Sequence, residues 1–389
     1  MKTERRKIFN HDTVGAVGNI VNHGMEDAAP DTKRIFNHDL RDCADEEELA
    51  RLLGVFKYPG RVLGETNPSD VIQLHPDLKS SWNWITDHYN RIGLPHTKTV
   101  IWDDNFDLIR RFPKHDLSVF FFGSKAHAVR PDERWYKVVK RMNSKNHFIK
   151  LCQDLSVCTP KTACFDDKDN FQGCDGFDFP VYFKISTSVS GLGVVKCKNK
   201  QELEERIFSM DSGIDFQIQE EIKTDTFINV QYVVNSGHLE KVAITEQILE
   251  DCQHLGNRFP TKYDSAWEVT DPIAVKLWQE GMKGYFAFDL AVTDEKYSVI
   301  ECNPRYNGST YPTNIAKKLG IESWVAKNLT TNIRTLDDLN FEGIEYNPLK
   351  KSGIIVVNWG CISDGKIGVL IAGDQNEQEQ IEEEFRSRI

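Results

Sequence analysis

Two carboxylates and an amide in the second half of the chain are spaced so that they could meet around a divalent cation. Residues 297–303 alternate apolar and polar side chains, which predicts a strand with Glu301 and Asn303 on one face. A second strand is predicted over residues 286–291, and a hairpin of the two would bring Asp289 beside them. Such oxygen ligands suit Mg²⁺, which completes its octahedron with water and nucleotide phosphates. A charged strand edge is the plain alternative, but glutamate, asparagine, proline and arginine are disfavoured within strands.

A lysine followed by a loop of serines and glycines forms a second group. Residues 180–185 predict a strand that carries Lys184 to the start of this loop. The loop contains five small residues: Ser186, Ser188, Ser190, Gly191 and Gly193. Backbone N–H groups in such a loop can form a nest for an anion, to which hydroxyl groups add donors and a lysine adds a point charge. An ordinary hairpin is the alternative, since the loop lacks the Gly-Lys-Ser/Thr ending of a P-loop.

These groups need a framework of strands and helices to position them. The first 130 residues alternate strand-like apolar runs with helical stretches, which predicts an open α/β sheet. Three helices are predicted: 80–92, 134–142 and 144–155. Asp132 is the expected N-cap of the second. Towards the C-terminus, residues 353–359 and 366–372 predict two paired strands, and a polar helix or tail follows them.

The charge is distributed unevenly and helps to place a boundary. Residues 1–141 hold 22 Lys/Arg and 21 Asp/Glu, whereas residues 142–389 hold 26 and 38. We expect an N-terminal domain over residues 1–141 and a second domain over 142–330. The remaining residues, 331–389, would form a small C-terminal domain with a polar tail. Within the second domain we expect a lid subdomain over about 142–215 and a central subdomain over about 216–330.

Composition excludes several classes of function. The chain has 389 residues and a net charge of −11, and a protein this acidic is a poor partner for nucleic acid or an anionic membrane. No apolar run reaches the roughly 18–20 residues that a membrane span needs, and the charged N-terminus leads us to expect no secretory signal. Nine cysteines, an odd number without any Cys-x-x-Cys pair, indicate free thiols in a reducing compartment, by default the cytoplasm.

Taken in chain order, the motifs resemble the ATP-grasp superfamily. The elements are a lysine early in a helix, the lysine with its small-residue loop, a strand that ends in Glu-Glu-Ile, an aspartate, and Glu-Cys-Asn-Pro-Arg at 301–305. The resemblance covers about residues 142–327. It implies an ATP-grasp fold of two α+β subdomains, preceded by a pre-ATP-grasp domain. The chain after residue 340 is similar to the small C-terminal domain of pheganomycin-type peptide ligases, and butirosin-type amino-acid ligases are also similar.

The resemblance implies that ATP lies between the two subdomains. Lys145 and Lys184 would contact the phosphates, and the small-residue loop would form the phosphate lid. Three residues at the end of a strand would hold adenine, through the Glu220 side chain and the backbone of its two successors: Glu220, Glu221 and Ile222. Asn229 and Gln231 point to one face of the next strand and would approach ribose or phosphate.

The same resemblance assigns the metal and the remaining positive charge. Asp289, Glu301 and Asn303 would bind Mg²⁺ or Mn²⁺. Arg305 would face the transferred phosphate. Arg258 lies in residues 254–260, a segment that we interpret as a substrate-facing loop. It would add further charge, or else be an ordinary surface arginine.

The function implied is an ATP-dependent carboxylate–amine ligase that forms an amide or peptide bond through an acylphosphate and releases ADP and phosphate. Its substrates would be small amino acids or peptides. Two alternatives are open: loading of an amino acid onto a carrier protein, and nucleotide binding without catalysis. A homodimer is common in this superfamily, and no nucleic acid or membrane partner is expected.

Overall fold

The structure is a computed structural model that describes residues 32–43, 54–188, 193–250, 253–294 and 296–389. Its strands are β1 Arg34–Asn37, β2 Val71–Gln73, β3 Val100–Ile101, β4 Asp116–Val119, β5 Thr162–Phe165, β6 Val181–Ile185, β7 Val194–Cys197, β8 Phe216–Glu220, β9 Phe227–Asn235, β10 His238–Glu250, β11 Gln253–Phe259, β12 Gly284–Thr293, β13 Lys296–Asn303, β14 Trp324–Thr330, β15 Gly353–Asn358 and β16 Lys366–Ala372.

The α-helices of the described residues are α1 Trp82–Arg91, α2 Ser124–Val129, α3 Glu133–Met142, α4 Lys145–Asp154, α5 Lys200–Phe208, α6 Ala266–Glu280, α7 Thr310–Leu319 and α8 Gln375–Arg388. Short 3₁₀ helices are Leu40–Asp42, Tyr58–Glu65, Pro76–Ser81, Phe106–Arg111, Lys168–Asn170, Leu336–Asp338 and Ile362–Asp364. None of the helices in the described ranges is long and apolar enough to cross a membrane.

The N-terminal sheet is parallel, with the strand order β3-β2-β1-β4. Its strands are short apolar runs whose side chains are buried, such as Ile35 and Ile72, because the connecting helical segments cover the sheet. This confirms the open α/β sheet expected for the first part of the chain.

A second sheet, with the order β5-β8-β6-β7, is antiparallel and has a hydrophobic core of its own. Phe183 on β6 and Phe216 on β8 pack there with Leu203 and Ile207 of α5. This sheet therefore extends to Glu220, beyond the boundary near 215 that we expected for a lid subdomain, because the apolar side chains of β8 belong to its core.

The third sheet has eight strands in the order β13-β12-β9-β10-β11-β14-β16-β15, all antiparallel. The two C-terminal strands pair as expected, with Gly353 opposite Ala372. Because β16 also pairs with β14, these strands extend the central sheet, which differs from the separate small domain that we expected. Helix α8 packs against the same strands and buries Phe385.

Two helix starts position the approach to the candidate site. The Asp132 side chain accepts a hydrogen bond of 3.0 Å from the Trp135 backbone N–H, so the predicted cap of α3 is confirmed. Ser144 caps α4 in the same way through His147. Helix α4 packs on β13 of the central sheet and on β5 and β8 of the lid sheet, so its first turn lies where the two sheets meet.

Candidate active site

A row of polar side chains crosses one face of the central sheet. Glu301 on β13 is opposite Asp289 on β12, Asp289 is opposite Asn229 on β9, and Asn229 is opposite Thr245 on β10. Directly opposed residues point to the same side of a sheet, so antiparallel pairing alone brings together residues up to 72 positions apart. The predicted hairpin of residues 286–291 with 297–303 is confirmed, including the juxtaposition of its two carboxylates.

Three amides hold the Asp289 carboxylate. Its Oδ1 accepts hydrogen bonds of 2.6 Å from Asn229 Nδ2 and 2.6 Å from Gln247 Nε2, and its Oδ2 accepts one of 2.8 Å from Asn303 Nδ2. Sequence reasoning missed Gln247. The available signal was that Gln247 stands two positions after Thr245 in a strand and therefore shares its face.

The two carboxyl groups of the site have pKa values shifted in opposite directions. Burial and the adjacent Glu301 carboxylate raise the pKa of Asp289 to about 7. Burial also acts to raise the pKa of Glu301, but Lys145, Lys184 and Arg305 outweigh it and the pKa is lowered. One carboxylate of the pair is therefore ionised beside a second that resists losing its proton, and a bound cation would allow both to ionise.

The donor set fits a hard divalent cation. Among the described residues, no three His, Cys, Asp or Glu side chains are grouped to hold a metal ion by themselves. Asp289, Glu301 and Asn303 together supply two carboxylates and one amide oxygen, and the Glu301 side chain is 32% exposed. Such a partial set suits Mg²⁺, which takes its remaining ligands from water and phosphate.

The charges of both predicted phosphate lysines act to lower the pKa of Glu301. Lys145 Nζ is 3.9 Å from Glu301 Oε2 and donates a 3.1 Å hydrogen bond to Ser188 Oγ. Lys184 Nζ donates a 2.6 Å hydrogen bond to Gln219 Oε1, an acceptor that the sequence reasoning missed although it alternates with Gln217 along β8. Both lysines are largely buried, which strengthens their electrostatic effect on the site.

The serines and glycines of the lid loop are placed differently from one another. Ser186 is fully buried: its Oγ lies 2.9 Å from Ser144 Oγ, and its carbonyl accepts from the Lys145 N–H. It therefore joins the lid strand to the start of α4. Gly193 has a φ of +76°, where a side chain would also clash with Ile185. Ser190 and Gly191 lie outside the described residues.

The two arginines predicted for catalysis are not brought together. Arg305 Nη1 donates to Asn143 Oδ1 at 3.2 Å, and its charge acts on Glu301. Arg258 lies in β11, so interpreting residues 254–260 as a loop was wrong. It is exposed and opposite Glu246, whereas its neighbour Asn257 bonds Thr245 on the site face. Alternation along the strand therefore directs Arg258 away from the polar row.

The residues that we expected to contact adenine lie where the chain leaves the second sheet. Glu220 ends β8, where its side chain accepts a 2.7 Å hydrogen bond from the Lys161 N–H. Glu221 forms an ion pair with Lys196 at 2.5 Å. The Ile222 carbonyl accepts from Thr224, in the short segment before the central strand β9. This strand end passes from one sheet to the other, and both glutamate side chains are engaged within the protein.

Asn229 and Gln231 share the site face but make different contacts. Asn229 donates to Asp289, and its Oδ1 accepts from Ser309 Oγ at 2.8 Å and from Asn307 at 3.4 Å. Its amide thus orients the Asp289 carboxylate, and its oxygen is engaged by Ser309 and Asn307. Gln231 Nε2 donates to Thr313 Oγ1 at 3.4 Å, while its Oε1 is buried without a hydrogen-bond partner in the described ranges.

Comparison with known proteins agrees with this fold. Residues 142–309 match the family model of the ATP-grasp domain. No curated protein matches the sequence. Solved structures do match, although identities this low show the fold alone.

One is N5-carboxyaminoimidazole synthetase from Staphylococcus aureus complexed with ADP, at 11% identity and a TM-score of 0.58, with 92% of this chain and 97% of that chain covered. Another is L-amino acid ligase from Bacillus licheniformis, at 14% identity and a TM-score of 0.54, with 92% and 98% covered. N5-carboxyaminoimidazole ribonucleotide synthetase from Thermus thermophilus has 15% identity and a TM-score of 0.54, with 92% and 97% covered.

Proposed function

We propose that this protein is an ATP-dependent carboxylate–amine ligase, starting from the match of residues 142–309 to the family model of the ATP-grasp domain. The observation that carries the proposal is the Asp289–Glu301 pair, in which the charges of Lys145, Lys184 and Arg305 act on Glu301. Two carboxylates for a metal and three cations beside them form a site for a polyphosphate whose charge increases during transfer.

The nucleotide would lie between the lid sheet and the central sheet. Lys145 and Lys184 would bind its phosphate oxygens, and the backbone at Glu221 and Ile222 would contact adenine where the chain leaves β8. Asp289, Glu301 and Asn303 would hold Mg²⁺, which would neutralise charge on the transferred phosphoryl group.

The reaction would proceed in two steps. A carboxylate oxygen of the acid substrate attacks the γ-phosphorus, the bond to the ADP oxygen breaks, and an acylphosphate forms. The amine nitrogen then attacks the acyl carbon and loses a proton, and the bond to the phosphate oxygen breaks to give an amide. The chain contributes positioning and charge rather than a covalent nucleophile, and Arg305 would stabilise the phosphoryl oxygens in both steps.

We propose amino acids or short peptides as the substrates. One structural neighbour is an L-amino acid ligase, but that resemblance extends only to the fold. A carrier-bound acceptor is the alternative. It would be recognised by product formation that requires a carrier protein instead of a free amine.

The test is ADP and phosphate release by the full chain with Mg²⁺, ATP and a panel of amino acids and dipeptides. We expect amide product in step with ADP, and at least a thousandfold loss of turnover in Glu301→Gln. The matched control is Glu246→Gln, which makes the same change on the opposite face of β10 and should retain activity. Release of AMP and pyrophosphate, or full activity of Glu301→Gln, would overturn the proposal.

A further inference from the structure

Arg61 is an arginine of the N-terminal part of the chain that is enclosed by aromatic rings. It lies in the 3₁₀ helix Tyr58–Glu65, and its guanidinium carbon is 4.3 Å from the centroid of the Tyr311 ring and 5.3 Å from that of Phe120. Its Nε is buried and has no hydrogen-bond partner among the described residues. In the part of the chain that the structure describes, no carboxylate forms an ion pair with Arg61.

The groups that the Arg61 guanidinium contacts directly are the aromatic rings of Tyr58, Phe120 and Tyr311. The guanidinium acts to lower the pKa of His38 and of the Cys361 thiol, in each case after the larger effect of burial. Aromatic faces attract a cation but do not neutralise it. Arg61 is half-buried and forms no ion pair with a carboxylate of the described residues, so this arrangement suits an anion that arrives from outside the chain.

A cavity of about 30 Å³ opens beside Arg61. Its polar lining includes His254, Asn257 and Asn358, and the Asn358 Oδ1 is buried without a hydrogen-bond partner in the described ranges. One water needs roughly 10–15 Å³, so the cavity admits a group of the size of a carboxylate. The Arg61 guanidinium beside such a space would recognise a planar anion.

The cavity adjoins the candidate active site. Gly308 lines it and lies between Asn307 and Ser309, both of which bond Asn229. On its other side, Asn257 donates a 3.0 Å hydrogen bond to Thr245 of the polar row.

Arg61 is also linked to the site through Cys43. Burial raises the pKa of the Cys43 thiol to about 11, while Arg305 and, more weakly, Arg61 act to lower it. The two arginines therefore lie within electrostatic reach of one side chain, one towards the metal site and the other in the cavity.

We propose that Arg61 binds a substrate carboxylate that is not phosphorylated, while Arg305 faces the carboxyl group that is. This inference rests on the proposed function and extends it to the substrate class. The carboxylate would belong to the amino acid or peptide that supplies the amine. Alternatively, the carboxylate that Arg61 binds would be a second carboxylate on the acid substrate that is activated. A planar guanidinium can bind either through two parallel hydrogen bonds.

The test measures binding first, because binding does not require turnover. Each of a panel of amino acids and its carboxamide, such as L-alanine and L-alaninamide, is titrated into the full chain with Mg²⁺ and ADP. We expect at least one amino acid to bind tenfold or more tightly than its amide. Arg61→Gln should bring the acid down to the level of the amide, and Arg61→Lys should retain part of the preference. Arg110→Gln, at an exposed arginine, is the control.

ADP affinity within about twofold of the wild type shows that a variant is folded, and the acid-to-amide comparison in the wild type stands even if a variant fails to fold. The proposal is overturned if no acid in the panel binds better than its amide. It is also overturned if folded Arg61→Gln keeps the full preference for the acid over the amide. Failure of the ligase proposal looks different: acids bind through Arg61, but no ADP is released. If the ligase reaction is active, the carboxylate of the amine substrate and the second carboxylate of the acid substrate are each replaced by a carboxamide in turn. The comparison identifies which of these two carboxylates Arg61 binds.

Discussion

Asp289 and Glu301 are opposed in register on β12 and β13, and the protein shifts the pKa values of their carboxyl groups in opposite directions. Glu301 faces two lysines and an arginine, whereas Asp289 is surrounded by uncharged amides and by Glu301 itself. The two carboxyl groups therefore differ in pKa before any cation binds. This asymmetry makes the site sensitive to pH in the neutral range.

The first prediction concerns pH and stability. The pKa of Asp289 is about 7 in the folded chain and roughly 3.9 when unfolded. Between these values the folded state keeps a proton that the unfolded state has lost, so this group makes stability fall as pH rises. We expect the stability of Asp289→Asn relative to wild type to increase from about pH 5 to about pH 7, measured by urea unfolding without metal. Parallel pH profiles for the two proteins would contradict this.

Metal should reverse that trend. A divalent cation stabilises the ionised carboxylate, so Mg²⁺ with ADP should stabilise wild type more at pH 8 than at pH 6. Asp289→Asn should show little of this difference.

The second prediction concerns the amides that hold Asp289. Gln247→Ala removes a 2.6 Å hydrogen bond to Oδ1 and leaves the carboxylate less well oriented. Losing such a supporting contact typically weakens metal affinity about 10–100-fold, so the Mg²⁺ concentration needed for tight ADP binding should rise accordingly. Asn235→Ala, at the exposed end of β9, is the control. An unchanged Mg²⁺ requirement in Gln247→Ala would show that Gln247 does not support metal binding.

The third prediction separates the two arginines. Arg305→Ala should lower kcat at least a hundredfold, since its charge faces the carboxylate pair. Arg258→Ala should stay within about threefold of wild type, because Arg258 is exposed on the opposite face of the sheet. Steady-state kinetics of ADP release measures both. Equal losses of kcat in the two variants would support the catalytic role of Arg258 that the sequence suggested.

The fourth prediction concerns nucleotide binding. Lys184→Met removes a buried cation beside the metal site, so ADP affinity should fall about tenfold or more, while adenosine affinity should change little. Calorimetry with the two ligands measures the difference. Lys198→Met, at an exposed position just after β7, should bind ADP normally. Equal weakening of ADP and adenosine would indicate a folding defect instead of a lost phosphate contact.

The sequence by itself determined the local features. Period-two alternation placed Glu301 and Asn303 on one face, and a short hairpin with Asp289 followed from proximity along the chain. The capped helix start at Asp132 was equally local, since a cap needs only its own first turn.

Only the tertiary structure decided which distant strands meet. The order of the central sheet brings Gln247 to Asp289 from 42 residues away, directs Arg258 to the opposite face and joins the C-terminal strands to β14. Likewise, Arg61 meets Tyr311 only because the N-terminal part packs on the central sheet. Sheet order depends on which apolar faces are buried together, and that is a property of the whole packed core, not of any one segment.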